Sequence, residues 1–328
     1  MASLLAGALI AAIVLIVPPL LGGSDTPSPS PSGTDGPRTN QVDLERRISD
    51  FTTEQVADAR YLPPNRTQRT TVAEGVALYL DGKHQEAEQK LAEVDFGVRI
   101  LQDTGESGES GGTGGAGESS GAGGTGRRYA EIADKAGENV RGWGRVYISL
   151  DAPPAYSVQV PHPVADAFSD LLGVGVLRGT PGGILVIAGT HRAAGEGKTA
   201  DMAHRRDSVF HAVCAELVGR KLPGIQVHGF ADSSSPEHDV VVSTGAGDLA
   251  RPQAIILANA LRDSGFKPCR AWRAKCPLAG RTNKQGVLAA DEDVPFIHVE
   301  VNRTLRTDPE LRRGATEAMT AAVREWTR

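Results

Sequence analysis

The chain has 328 residues, 40% of them hydrophobic and 23% charged, enough for one large domain or two small ones around a sizeable core. Its formal net charge of −5 offers no basic excess to neutralise phosphates and gives no ground to expect a nucleic-acid partner. Glycine (39) and proline (20) are abundant, but much of that excess falls in two low-complexity segments.

The first 23 residues, "MASLLAGALIAAIVLIVPPLLGG", carry no charge. A bilayer-spanning helix needs about 20 apolar residues, so residues 1–23 are expected to be a membrane anchor or a cleaved secretory signal. Either places the remainder outside the cytoplasm, secreted or held at the membrane. Residues 24–40 form a polar Pro/Ser tether, too poor in apolar side chains to offset the entropy of ordering. Residues 41–92 carry apolar positions at three- and four-residue spacing, interrupted by Pro63 and Pro64, which predicts a small helical segment.

Residues 93–155 read as a β-meander: "DFGVRILQD", "RRYAEIAD" and "GWGRVYISL" are strand-like. Between the first two lies the Gly/Ser/Glu run 105–126, a flexible insertion at a hairpin tip. Deleting Glu106 to Gly124 is expected to leave folding intact.

From Tyr156 to the end, short β-branched runs alternate with helical patterns. "YSVQV", "GGILVIAGT", "GIQVHGF", "HDVVVST" and "VPFIHVEVN" are the strands. Pro252 and Pro309 suit first helical turns, Asp308 an N-cap and Gly265 a C-terminal cap. The alternation predicts a three-layer α/β domain over 156–328, its sheet mixed but mostly parallel, with helices on both faces. Cys269 and Cys276 in "CRAWRAKC" are close enough to bridge in an oxidising compartment, whereas Cys214 lies on an apolar helical pattern and is expected to be free.

Ligands in such sheets bind beyond the carboxyl ends of the strands, and histidines gather there. His162 ends "SVQVPH" between two prolines, His191 ends "GILVIAGTH", and His228 falls late in "GIQVHGF". Glu300 can reach the same edge from "FIHVEVN", on the strand face it shares with His298. His204 and His211 share a face if one helix covers both. Catalytic zinc takes three nitrogen or oxygen ligands and keeps one position for water, with a carboxylate as base and arginines for an anionic substrate. The sequence has no HExxH, paired CxxC or Walker-type loop.

The order "VPHPVAD", "AGTHR", "ADMAHRRDS", "QVHGF", "HVEVNR" resembles the N-formylglutamate amidohydrolases and poly-γ-glutamate hydrolases. The resemblance spans roughly Tyr156 to Arg303. It implies a zinc-dependent amidohydrolase with a carboxypeptidase-like fold, His162, Asp166 and His228 as metal ligands, Arg192 and Arg205 as substrate contacts, and Glu300 as base. The His-x-x-x-Asp spacing departs from the usual His-x-x-Glu. A rival pair is His191 with Glu196 in "HRAAGE", and His204 is a further substitute; otherwise His191 and His204 orient ligands or stabilise an oxyanion. The expected substrate is a small molecule or peptide bearing a carboxylate, and the expected state is a monomer. The alternative from another class is a catalytically inactive, surface-tethered binding module on the same fold.

Overall fold

The computed structural model describes residues 40–55, 61–105, 126–135 and 141–328. The expected export segment, all of the tether but Asn40, and residues 106–125 of the glycine-rich run lie outside the described residues. Among the described residues no helix is long and apolar enough to cross a membrane.

In chain order the elements begin with β1 (Asn40–Val42), α1 (Leu44–Thr53), α2 (Arg66–Leu80) and α3 (His84–Ala92). The meander follows as β2 (Phe96–Asp103), β3 (Arg128–Asp134) and β4 (Arg145–Ser149). Then come β5 (Tyr156–Val160), α4 (Ser169–Gly179), β6 (Gly183–Ile187), α5 (Val209–Gly219), β7 (Gly224–Phe230) and β8 (Val240–Ser243). The chain closes with α6 (Arg251–Asp263), β9 (Pro268–Arg270), α7 (Lys284–Asp291), β10 (Phe296–Asn302), α8 (Arg303–Thr307) and α9 (Pro309–Val323).

All ten described strands join one mixed sheet in the order β1-β2-β3-β4-β6-β5-β7-β10-β8-β9, so the meander extends the same sheet that carries the later strands. The four central strands β6, β5, β7 and β10 are mutually parallel. β4 joins β6 and β8 joins β10 in antiparallel fashion. The result is the three-layer α/β arrangement expected, with antiparallel pairs on both sides of a parallel centre. Asp103 N donates to Arg127 O at 2.8 Å, closing the β2–β3 ladder immediately beside the glycine-rich run.

One face of the sheet is covered by α1, α4, α6 and α9, whose buried Leu44, Leu172, Leu257 and Met319 pack on Tyr129, Val158, Val227 and Val299. The other carries α2, α3 and α5 over Ile132, Val146 and Ile184. Strands buried on both faces ordinarily read as continuous apolar runs. The centre of this sheet does not. Facing away from Val158, Val227 and Val299 lie Gln159, Gln226, His228, His298 and Glu300, all buried. Sequestering so many polar groups is costly unless they are paired, and the pairing they find builds the site.

The caps fall where expected: Asp308 accepts from Glu310 N and Leu311 N at the start of α9, and Gly265 takes φ +88° just past α6. His204 lies outside α5, which begins after Ser208 caps it, so His204 and His211 share no helix. A Cys269–Cys276 disulfide is present with Cα atoms 5.9 Å apart, and Cys214 is free and buried in α5.

A candidate metal centre at the sheet edge

Parallel pairing brings the carboxyl ends of β5, β7 and β10 to one edge. β5 continues to β6 on one side while β7 lies on the other, so the order reverses at β5, where α/β sheets place their ligand crevices. His162 follows β5 and Pro161. Asp166 N donates to His162 O at 2.9 Å, and this turn carries the Asp166 carboxylate back over the histidine.

His162, Asp166 and His228 are all buried and form a potential ligand group. Asp166 Oδ2 lies 3.4 Å from His162 Nδ1 and 3.2 Å from His228 Nδ1. Ligands bound at about 2.0–2.1 Å to one tetrahedral ion stand about 3.3–3.4 Å apart, close to both separations.

The hydrogen bonds behind the rings orient both imidazoles. His162 Nε2 lies 2.8 Å from Asp201 Oδ1; a carboxylate only accepts, so that nitrogen carries the proton. His162 Nδ1 is then a lone pair, and it is a buried atom without a hydrogen-bond partner. His228 Nε2 has two neighbours, the acceptor Gln226 Oε1 at 3.0 Å and the donor Asn283 Nδ2 at 3.2 Å. Gln226 is fixed in that orientation because its Nε2 donates to Gln159 Oε1 and Gln285 Oε1 while Asn283 Nδ2 donates to its oxygen at 2.8 Å. His228 Nδ1 lies within hydrogen-bonding distance of Asp166 Oδ2 at 3.2 Å; with that nitrogen deprotonated, two imidazole nitrogens and a carboxylate oxygen converge, a donor set that fits a divalent cation with nitrogen and oxygen preference.

Electrostatics follow the same contacts. Burial opposes a charge on His162, but the adjacent Asp166 and Asp201 carboxylates prevail and raise its pKa. Burial likewise opposes ionisation of Asp166, yet His162 and His228 hold its carboxyl far below the usual range. Glu300 differs: burial first, then the Asp166 charge, push it up to about 8. A cation at the neighbouring trio would favour its ionised form. His298 Nε2 is 3.8 Å from Glu300 Oε1, and burial depresses the His298 pKa. A second potential ligand group, His228 with His298 and Glu300, overlaps the first.

The remaining candidates are placed less centrally. Arg192 is half-exposed with Nη1 4.0 Å from Asp166 Oδ1. Arg205 is engaged by Asp207, at 2.8 and 2.5 Å. His191 Nδ1 accepts from Ala193 N, and His204 Nδ1 lies 3.1 Å from Asp201. Glu196 is exposed on the loop after β6. The residues that sequence reading passes over are Asp201, Gln226 and Asn283. Gln226 had a signal: it stands two before His228 on one strand face, a polar position in a strand otherwise apolar. Asp201 had a fainter one, three residues before His204.

No protein-family model matches the sequence, and no curated protein matches it. Solved structures similar to it include a protein of Shewanella denitrificans assigned as a carboxypeptidase A, 14% identical over 55% of this chain and 60% of that one, TM-score 0.40. A metallo-carboxypeptidase of Burkholderia cenocepacia is 12% identical over 56% of this chain and 60% of that one, TM-score 0.37. The N-acetylmuramyl-L-alanine amidase Ami1 of Mycobacterium smegmatis is 13% identical over 53% and 97%, TM-score 0.34. The matches thus span about 60% of the length of the two carboxypeptidases.

Proposed function

We propose that the protein is a zinc-dependent hydrolase that cleaves an amide bond in a substrate bearing a carboxylate. The observation that carries this reading is the convergence of His162 Nδ1, Asp166 Oδ2 and His228 Nδ1, at 3.4 and 3.2 Å, with both histidines oriented from behind. Zinc held there would supply Lewis-acid polarisation of a carbonyl and a water of lowered pKa.

The chain's own residues would do the rest. Glu300 would take a proton on its carboxylate from the attacking water and return it to the leaving nitrogen. Arg192, beside Asp166 and half-exposed, would bind the substrate carboxylate; Arg205 would have to leave Asp207 to contribute. Asp201 would keep the His162 proton on Nε2. N-acyl amino acids, γ-glutamyl chains and cell-wall peptides all offer the amide and the carboxylate. Action outside the cytoplasm belongs to the same proposal, supported by the uncharged first 23 residues and by the Cys269–Cys276 bridge.

Metal analysis of the purified protein, paired with an amidase screen on those three substrate classes, tests the reading. Near-stoichiometric zinc, lost in His162→Ala with His228→Ala, is expected. A wild-type chain without zinc would falsify the ligand assignment. Zinc retained without turnover of any substrate would favour the tethered binding module.

A further inference from the structure

Arg306 is a buried charge to which the chemistry above gives no role. It lies in α8, 4% exposed, and among the described residues it forms no direct ion pair. Its guanidinium instead spends its donors on backbone. Nε donates to Val301 O at 3.0 Å, Nη2 donates to Phe230 O at 3.2 Å, and Nη1 donates to Ala167 O.

Those three carbonyls belong to three separate segments, and each stands beside a site residue. Ala167 follows Asp166, Val301 follows Glu300, and Phe230 is two residues past His228 on β7. One planar fork thus ties together the turn after β5, the end of β7 and the end of β10. An ammonium, as a point charge, cannot span these acceptors in the same way.

The surroundings are built around this reach. A Cβ on Gly229 would lie 2.2 Å from the Arg306 guanidinium carbon, so only glycine at 229 leaves room for the fork. α8 is itself pinned: Leu305 N donates to Asn302 Oδ1 at 2.8 Å. Asp232, in the turn after β7, accepts from Thr304 N at 3.1 Å and from Thr304 Oγ1 at 2.9 Å. Of the charged groups that act on Arg306, the two carboxylates of the site, Asp166 and Glu300, come first.

We propose that Arg306 is a positioning residue for the metal centre, fixing the mutual spacing of Asp166, His228 and Glu300 by holding the backbone of all three segments. The proposal rests on reading the trio as a metal site, and the test separates the two. Zinc affinity is measured by chelator competition on the full chain, with the thermal midpoint of the zinc-free protein measured alongside. The proteins compared are wild type, Arg306→Lys, Gly229→Ala and Glu131→Gln, the last a core ion-pair variant remote from this edge. Arg306→Lys and Gly229→Ala should each weaken zinc binding about 10–100-fold, the usual loss when a group behind a ligand is disturbed. Glu131→Gln should lower the midpoint and leave zinc affinity unchanged. Wild-type affinity in both site variants, or an equal affinity loss in Glu131→Gln, overturns the positioning role while the metal reading stands. A wild-type chain that binds no zinc overturns the metal reading and this role with it. If Arg306→Lys does not fold, Gly229→Ala decides.

Discussion

Glu300 is the direct Cα partner of His228 across the parallel β7–β10 pairing, so a carboxylate whose pKa burial pushes up to about 8 sits abreast of a candidate ligand. Two residues back on both strands, His298 pairs with Gln226, the residue that orients His228. The parallel register alone thus sets the base candidate beside His228, independent of any loop.

Replacing Glu300 by Gln keeps the shape of the side chain and removes its capacity to take a proton. Turnover should fall about 10²–10⁴-fold, the usual contribution of a positioned acid or base. Zinc content, measured on the same preparation, should match wild type. A variant that loses zinc together with activity would show Glu300 acting as a ligand, as the overlapping His228–His298–Glu300 group would allow.

Asp201 accepts from His162 Nε2 and also contacts His204. Asp201→Ala should leave His162 free to change tautomer and weaken zinc binding about 10–100-fold. Asp201→Asn, which retains an acceptor oxygen, should lose less. Equal affinities in wild type and Asp201→Ala, read by chelator competition, would remove Asp201 from the site.

The parts of this arrangement legible in the sequence are those fixed by periodicity. Strand runs of alternating side chains mark β5, β7 and β10, and parallel order then puts His162, His228 and Glu300 at one edge. Asp201 is hidden because its partner His162 is 39 residues away and the connecting loop has no repeat to read. α4 escapes for another reason. Its "SDLLGVGVLRG" contains three glycines, poor helix formers, yet Gly173 lets it approach Val160 and Gly175 lets it approach Thr316 of α9. Close packing there outweighs propensity. Arg306 reads as one more charge in a C-terminal helical stretch, since nothing local reveals that its acceptors lie in three other places.

The Cys269–Cys276 bridge closes a short loop next to β9. Constraining a loop of this size in the unfolded chain is worth about 2 kcal/mol. Cys269→Ser with Cys276→Ser should therefore lower stability by about that amount in denaturant titration. Intact mass after alkylation under denaturing conditions should find one free thiol without reductant and three with it. Three thiols without reductant in protein prepared under oxidising conditions would refute the bridge.

Acid stability should be governed in part by Glu131, whose side chain is fully buried on β3. Burial opposes its ionisation, but Arg47 donates to its two oxygens at 2.8 and 2.6 Å and Arg145 adds a contact at 3.2 Å, so its pKa is lowered overall. The sign follows from linkage. An unfolded glutamate titrates near about 4.3, and the folded one lower, so below that pH the unfolded chain binds the extra proton. The stabilisation is complete above the unfolded value and is lost as pH falls through the folded one. Glu131→Gln should cost stability at neutral pH, toward the low end of the roughly 3–5 kcal/mol for breaking a buried pair, because Arg47 retains 26% exposure to water. Its stability should then fall less steeply than wild type as pH drops below about 4.3. Denaturant titrations from pH 7 down to pH 3 measure both slopes. Parallel acid limbs for the two proteins would place the titrating group elsewhere.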